Sequence, residues 1–413
     1  MSTDLAEAIA KKASGQRSPL WLSGFLLVGI LLGLLGSLLI AWQYHIDVDP
    51  RLIGFHFLAL NAGYVFASRL SLLCLRRISL RAVALVSCAL AALSLLALSF
   101  LTPPVSAVWR LLALAFLGVA AGGLATSLFY ASEPYFRRSP ASAANIAGLL
   151  FGSGCLIATV MTCSTYFAGS LQIETALLAI FPFVYFFLYL RNGLPLAKSP
   201  VGKRQEDDLR ETLKDLRSIA TVLFSLLLLF QFGNEWALAG WLPLFLIHRL
   251  GTNPVLAIGG LALYFLALML GRLIAQALLP WMSHRRLLLG SIVLSMAGYL
   301  LLSFAGSLFA AMFATVIIGA GLAPIYPLIA EQLDDRFSYH PGFYSGTVSI
   351  AFIGAMAAPW LLGYVDAYLG MKYVMLIPAF GSCAVLILAL LIMFEARLMD
   401  GAGARNTYGA ADD

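Results

Sequence analysis

The sequence predicts an all-α membrane protein: twelve transmembrane helices in two pseudo-symmetric six-helix bundles. Three observations predict it. The 413 residues are 61% hydrophobic and only 11% charged, whereas a soluble domain carries about 25% charged residues. Twelve apolar runs approach the ~20 residues that a bilayer core requires. The two halves of the chain echo one another in ordered short matches.

The runs are read at 20–43, 52–74, 80–101, 105–131, 143–167, 172–191, 218–247, 254–280, 286–304, 307–331, 342–365 and 372–395. They divide the chain into a polar tail at 1–19, a first bundle at 20–191, a linker at 192–217, a second bundle at 218–395 and a tail at 396–413. The first 19 residues carry no cleavable signal pattern. The linker holds Lys203, Arg204, Glu206, Asp207, Asp208, Arg210, Glu211, Lys214, Asp215 and Arg217. Mixed charge at helical spacing reads as a surface helix.

Basic residues fix the expected orientation, because Lys and Arg collect on the cytoplasmic side. With the N-terminus inside, the inner loops receive Arg76, Arg77, Arg81, Arg137, Arg138, Arg285, Arg286 and the linker cluster. The outer loops receive Arg51, Arg110, Arg249 and Lys372. The sequence therefore predicts a multi-pass protein of the cell membrane with both termini cytoplasmic. The net charge of +6 follows from this topology, so nucleic acid is not an expected partner. Membrane lipid is, and the expected oligomeric state is a monomer. The five cysteines show no metal or disulfide spacing. They are expected to be buried and inert.

Short segments recur in the same order in the two halves, the mark of an internal repeat. Asp49-Pro50-Arg51-Leu52 faces Asn253-Pro254-Val255-Leu256 at an offset of 204, each opening the second helix of its half. Arg69-Leu70 faces Arg272-Leu273, and Arg77–Arg81 faces Trp281–Arg285. Gly123-Leu124-Ala125 faces Gly321-Leu322-Ala323, Glu133 faces Glu331, and Phe151-Gly152 faces Ile353-Gly354. Parallel six-helix repeats joined by a cytoplasmic linker make the major facilitator layout.

The whole chain resembles the major facilitator superfamily. That family's loop between its second and third helices carries Gly, then Asp-Arg, then Gly and two basic residues. Here the acid's position holds Arg76 in one half and Pro280 in the other, and the loop Gly is Ser79 and Ser283. The departure argues against the drug-efflux and sugar-porter branches, which usually keep it. Three segments resemble the fucose–proton symporter family: Gly63-Tyr64, then Gly123-Leu124 with Ala131–Tyr135, and Gly233-Asn234-Glu235 with Gly240–Pro243. That family's helix-four acid would fall at Phe129, and helix one holds no carboxylate, so its proton-coupling pair does not carry over.

A charge at the bilayer centre costs about 2.5–3.5 kcal/mol on insertion scales, so each marks a candidate function. Glu235 lies mid-run in helix seven, near Gln231, Asn234, Trp236 and Trp241. Residues 231, 234, 235 and 238 share a face by helical spacing. Amides and an acid can bond a polar solute there, and indoles can stack on it. A carboxyl in such a place can exchange a proton in the working pH range, as a proton-coupled carrier needs. The competing reading is a structural pair between Glu235 and Arg110 or another helix. Further cavity candidates are Asn61, Tyr64, Tyr130, Tyr264, Gln276 and Tyr326. Arg69, Glu133, Arg272 and Glu331 lie at matched helix ends and read either as an inner gate of salt bridges or as snorkelling side chains. Arg110 is a candidate anion ligand or outer-gate residue. His56 reads as hydrogen-bonded structure or as a proton relay. The glycines of helix one, at 24, 29, 33 and 36, read as packing contacts. Pro324 and Pro327 are expected to bend helix ten.

No nucleotide loop, zinc motif or soluble catalytic domain is present in the sequence. No enzyme activity and no cofactor are expected. The leading expectation is a secondary active transporter for a small polar solute, a sugar or related compound, coupled to protons (or sodium) through Glu235. The alternatives are an exporter of an amphipathic compound or lipid, and a non-transporting receptor or assembly subunit.

Overall fold

The computed structural model describes residues 20–46, 48–75, 77–132, 140–168, 171–192, 219–336 and 341–409. The expected linker at 192–217 falls outside them but for its first residue, as does Glu133. A short 3₁₀ turn, Leu20–Ser23, leads into α1, which runs Gly24–Gly33 and Leu35–Ala41 with a 42° bend between. Then come α2 (Pro50–Cys74), α3 (Leu80–Phe100), α4 (Ala107–Ala131), α5 (Pro140–Phe167) and α6 (Leu171–Leu178 with Ile180–Asn192). The second half holds α7 (Ile219–Leu250), α8 (Pro254–Leu278), α9 (His284–Ser303), α10 (Leu308–Leu322 with Ile325–Arg336), α11 (Pro341–Leu369) and α12 (Leu376–Gly409). The described residues form eleven helices able to cross a membrane, or twelve when bent α1 counts as one span. They contain no strand.

Helix starts follow local chemistry. Asp49 caps α2 by accepting from the Arg51 amide, with Pro50 in the first turn. Asn253 caps α8 by accepting from the Leu256 amide, with Pro254 in the first turn. Both caps satisfy an amide that the helix leaves unbonded, and proline there loses no bond. The repeat read at an offset of 204 is therefore a repeat of helix starts. Ser79 and Ser307 cap α3 and α10 in the same way. Helix α10 breaks at Ala323 and Pro324, where proline cannot donate. The α1 bend falls at Leu34, whose carbonyl also accepts from the Ser37 hydroxyl at 2.9 Å. Such back-bonding bends helices.

Packing repeats with the sequence. Within the first half α2 packs on α4, α3 on α4, α1 on α5 and α3 on α6. Within the second, α8 packs on α10, α9 on α10, α7 on α11 and α9 on α12. Each contact reappears six helices later. Glycines permit the closest approaches. A side chain at Gly29 would strike the Phe151 carbonyl, and one at Gly154 the Leu26 carbonyl, so α1 and α5 touch backbone to backbone. Apolar side chains such as Phe66, Phe100, Phe167, Phe313 and Phe394 remain exposed on the outer faces, as lipid contact requires. Cys88 and Cys155 are buried as expected, whereas Cys383 is exposed. Its sulfur lies 3.4 Å from that of Met296 on α9, and Cys74 and Cys163 are half-buried.

The halves meet through α2 with α11, α5 with α8, α1 with α7, and α5 with α10. Away from the linker, this seam is built from backbone. A side chain at Gly36 would meet the Ala239 carbonyl, one at Gly240 the Phe57 ring, and one at Gly54 the Trp360 carbonyl. Toward the linker end the seam is polar: Asn145 donates to Gln276 at 2.9 Å, and Ser68 and Ser349 share a hydrogen bond at 2.9 Å.

Gly154→Val tests the α1–α5 contact. Overpacking of this kind costs about 1–3 kcal/mol, so the melting temperature in detergent is expected to fall clearly. An unchanged melting temperature would mean that these helices are not held at backbone distance.

Candidate functional site

A cavity of about 90 Å³ lies between the halves. That is smaller than a typical small-molecule site of about 300–1,000 Å³. The two halves supply different chemistry. From the first come Phe25 and Val28 on α1, Tyr64 on α2, Ala125 and Phe129 on α4, and Ala144, Ala147, Gly148 and Phe151 on α5. From the second come Phe232, Glu235 and Trp236 on α7, Arg272 on α8, Tyr326 on α10 and Phe352 on α11. The charges are thus all on one half, and the other half presents rings and small side chains.

The aromatic wall is continuous. Tyr64 stacks on Phe352 across the halves, centroids 3.8 Å apart and planes 22° from parallel. Phe352 meets Phe232 edge-on at 5.7 Å, Phe232 meets Tyr326 at 5.6 Å, and Phe151 meets Trp236 at 6.2 Å. A planar or ring-bearing solute finds stacking faces on both halves.

Arg272 is the unusual member. It is 6% exposed, and its Nε and Nη1 are buried without a hydrogen-bond partner. Glu235 and Arg272 act on each other electrostatically, yet no ion pair within 4.0 Å joins them. The guanidinium passes over Gly148 of α5, where any β-carbon would overlap its Nη1. Glycine at 148 leaves this place open to the guanidinium, and a β-carbon there would push the flexible side chain aside. Arg272 also walls a second, more polar cavity toward the linker end, with Asn145, Gln276, His284 and Glu331. There His284 Nε2 stands 3.0 Å from a Glu331 carboxylate oxygen.

The sequence candidates separate on this geometry. Tyr64, Glu235, Trp236 and Tyr326 line the central cavity. Asn234 does not, although helical spacing groups it with Glu235. Its amide faces Ser382 of α12 at 3.4 Å, and its carbonyl accepts from Tyr299 of α9 at 2.8 Å. Gln231 is buried with an unpartnered amide nitrogen outside the lining. Trp241 donates to the Pro359 carbonyl at 2.9 Å, and Asn61 donates to the Phe57 carbonyl at 2.9 Å; both serve packing. Tyr264 is fully buried with an unpartnered hydroxyl. Tyr130 packs beside Leu75, Leu80 and Val83. Arg69 is exposed on α2, so the matched pair Arg69 and Arg272 have unlike surroundings.

Arg110 sits at the other end of the molecule, far in sequence from any acid. Its Nε donates to the Tyr44 hydroxyl at 3.0 Å, and its Nη1 donates to the Leu101 and Val105 carbonyls. The Tyr44 hydroxyl is 3.2 Å from His56 Nε2, and His56 Nδ1 is 2.7 Å from the Leu52 carbonyl. The carbonyl can only accept, so this network places the His56 proton on Nδ1 and leaves Nε2 to accept from Tyr44. Burial pushes the Tyr44 phenol up, against the lowering pull of Arg110. These contacts tie the α1–α2 loop to α4. Arg110 is the partner of Tyr44, and the charge facing Glu235 is Arg272.

Two features escaped sequence reasoning. Five phenylalanines of the lining looked like any other apolar residue. Glu174 of α6 is a further charge inside an apolar run. It is fully buried, accepts from the Thr162 hydroxyl, and leaves Oε2 unpartnered.

The sequence matches the Major Facilitator Superfamily over residues 21–352. An uncharacterized MFS-type transporter of Yersinia pestis is 23% identical over 159 residues. That match takes in 38% of this chain and 40% of the relative's length. The fold is similar to the transporter FucP in its outward conformation, with TM-score 0.65 and 18% identity over 90% of this chain and 97% of that one. A single-substitution variant of the E. coli fucose:proton symporter FucP gives the same values. A single-substitution variant of the nucleoside transporter NupG gives a TM-score of 0.69 at 14% identity, covering 91% of this chain and 98% of that one. The chain belongs to the Major Facilitator Superfamily: it is a multi-pass membrane transporter, not an enzyme.

Gly148→Ala tests the seat of Arg272. The added methyl is expected to displace the guanidinium and alter the emission of Trp236 in the same cavity, read as a difference against Trp236→Phe. An identical difference spectrum in both backgrounds would show that Arg272 does not lie against Gly148.

Proposed function

We propose that this member of the superfamily is a proton-coupled carrier of a small polar solute, a sugar or related ring compound, working by alternating access. One observation carries the reading: Glu235 stands in an aromatic cavity between the halves, at a place where an unpaired carboxyl is costly. Such a group gains and loses a proton as its surroundings change. The aromatic faces on both halves suit a solute with a flat or ring surface. The likeness to a fucose:proton symporter and a nucleoside transporter agrees with a ring-bearing cargo.

Transport follows from the seam. The halves rock about the cavity, and the polar contacts toward the linker end part when that side opens. With the termini and linker in the cytoplasm, as the basic residues propose, this is the cytoplasmic gate. Arg69, Arg272 and Glu331 belong to that end by position, and Glu133 is assigned to it from the sequence. Glu331 stands 3.0 Å from His284, and Arg272 serves gate and cavity together because it walls both spaces. Arg110 fastens the opposite end through Tyr44.

A second reading is export of an amphipathic compound. The mainly apolar lining favours it, since Phe25, Val28, Phe129, Phe151, Phe232 and Phe352 surround only two charges.

Proteoliposomes separate the two. Addition of the transported sugar should acidify the lumen, and Glu235→Gln should abolish that proton influx while solute binding persists. Proton influx equal to that of the parent would remove Glu235 from coupling. For the gate, a cysteine pair replacing Asn145 and Gln276 should oxidise readily and arrest transport until reduced. Full transport with the pair oxidised would show that the halves do not part there.

A further inference from the structure

We propose that the solute carries an oxyanion group, a carboxylate, and that Arg272 receives it when Glu235 holds a proton. This rests on the carrier reading above and narrows its solute class.

The observation is a buried cation whose hydrogen bonds are missing. Arginine stays charged in proteins and offers five donors in a planar fork that matches a carboxylate. Burying it is tolerated when those donors are met. Here Nε and Nη1 are both buried and both unmet. Each of the two bidentate edges of a guanidinium includes one of them, so neither edge is filled. The side chain nevertheless lines the central cavity. Gly148 leaves open the place that the guanidinium takes, from which a β-carbon would push it aside. An arginine used for packing would be bonded to carbonyls, as Arg110 is to those of Leu101 and Val105.

The counter-charge is Glu235. The other titratable groups that act on the pair are Tyr264 of α8, Tyr299 of α9, Tyr326 of α10 and Cys155 of α5. These are neutral phenols and a thiol in their ordinary forms. Glu331 and His284, which share the second cavity with Arg272, stand against each other at 3.0 Å, so within the central cavity the charge that varies is that of Glu235. With Glu235 ionised the site is neutral and repels a further anion. With Glu235 protonated the site carries one positive charge and one vacant fork. An incoming carboxylate then restores neutrality and fills the donors. Proton and carboxylate thus favour each other's binding, and linkage makes the effect reciprocal. One proton and one monoanion cross together, so the cycle moves no net charge. A neutral sugar carried with a proton would move one.

The test uses the full-length chain and two matched probe pairs, glucuronate with glucose and benzoate with benzyl alcohol. Binding is followed by the change in melting temperature, and flux by a lumenal pH dye with the membrane potential clamped at two values. An acid of a pair is expected to bind at least tenfold tighter than its neutral mate at pH 6, and at least tenfold more weakly at pH 8 than at pH 6. Its proton-coupled uptake should not depend on potential. Arg272→Lys keeps the charge but loses the fork, and should cost tenfold or more in acid binding. Gly148→Ala, which keeps Arg272 in the chain but pushes its guanidinium aside, should also weaken it. Glu235→Gln should keep acid binding and remove its pH dependence. Tighter binding of the neutral mates, with potential-dependent proton influx, would overturn the oxyanion assignment and leave the carrier reading standing. Acid uptake without any proton movement would overturn both the coupling role of Glu235 and this inference. Equal acid binding in parent, Arg272→Lys and Gly148→Ala would remove Arg272 as the receptor.

Discussion

The placement of Arg272 constrains everything around the cavity. A guanidinium cannot shed its proton, so its burial has to be arranged by the fold and not by titration. The arrangement has three parts. Gly148 clears the path on α5, Glu235 supplies the opposite charge from α7, and aromatic rings exclude water from the remainder. Each part lies on a different helix, and Gly148 lies on the opposite half. Any rocking of the halves must therefore move the guanidinium relative to Gly148. In the proposed cycle, binding chemistry and conformational change meet in one side chain.

Much of this fold is legible in the sequence because membrane helices obey one rule. Lipid offers no hydrogen bonds, so each crossing must be a helix long enough to satisfy its own backbone. Twelve apolar runs therefore announce twelve crossings. The Asp49-Pro50 and Asn253-Pro254 starts announce the repeat, because capping is local chemistry. Glu235 was legible for a related reason: a charge in an apolar run has few explanations. Its own surroundings were not. Which face of α7 meets the cavity depends on where α9, α11 and α12 stand, and those helices took Asn234 and Trp241 for packing. Arg272 looked like a helix-end residue matched to Arg69. The repeat copies the backbone, but it does not copy the environment. Arg69 faces outward and Arg272 faces inward.

The family loop shows the same limit from another side. Its acid is absent from both halves, at Arg76 and Pro280, and the helix-four acid of the fucose–proton symporters is replaced by Phe129. The fold persists through these losses, at 18% identity to a symporter structure. Fold rests on glycine contacts and helix starts, whereas the proposed coupling rests on a few charges. Phe129 lines the cavity as a ring, so the first half here contributes no charge to it. The charges that line the cavity, Glu235 and Arg272, both stand on the second half.

The two ends of the seam differ in a way that bears on which end yields first. Away from the linker, Gly36, Gly54 and Gly240 bring one half's backbone against carbonyls and a ring of the other. Parting them exposes apolar surface and breaks many small dispersion contacts at once. Toward the linker the halves are joined by side-chain hydrogen bonds, Asn145 to Gln276 and Ser68 to Ser349. Each such bond contributes about 0.5–1.5 kcal/mol net, and water can replace it. The second cavity already places Asn145, Gln276, His284 and Glu331 around open space there. The conformation seen is therefore held firmly at one end and lightly at the other. Arg272 stands on the path between the central cavity and the lightly held end, so a solute leaving that way passes the cation.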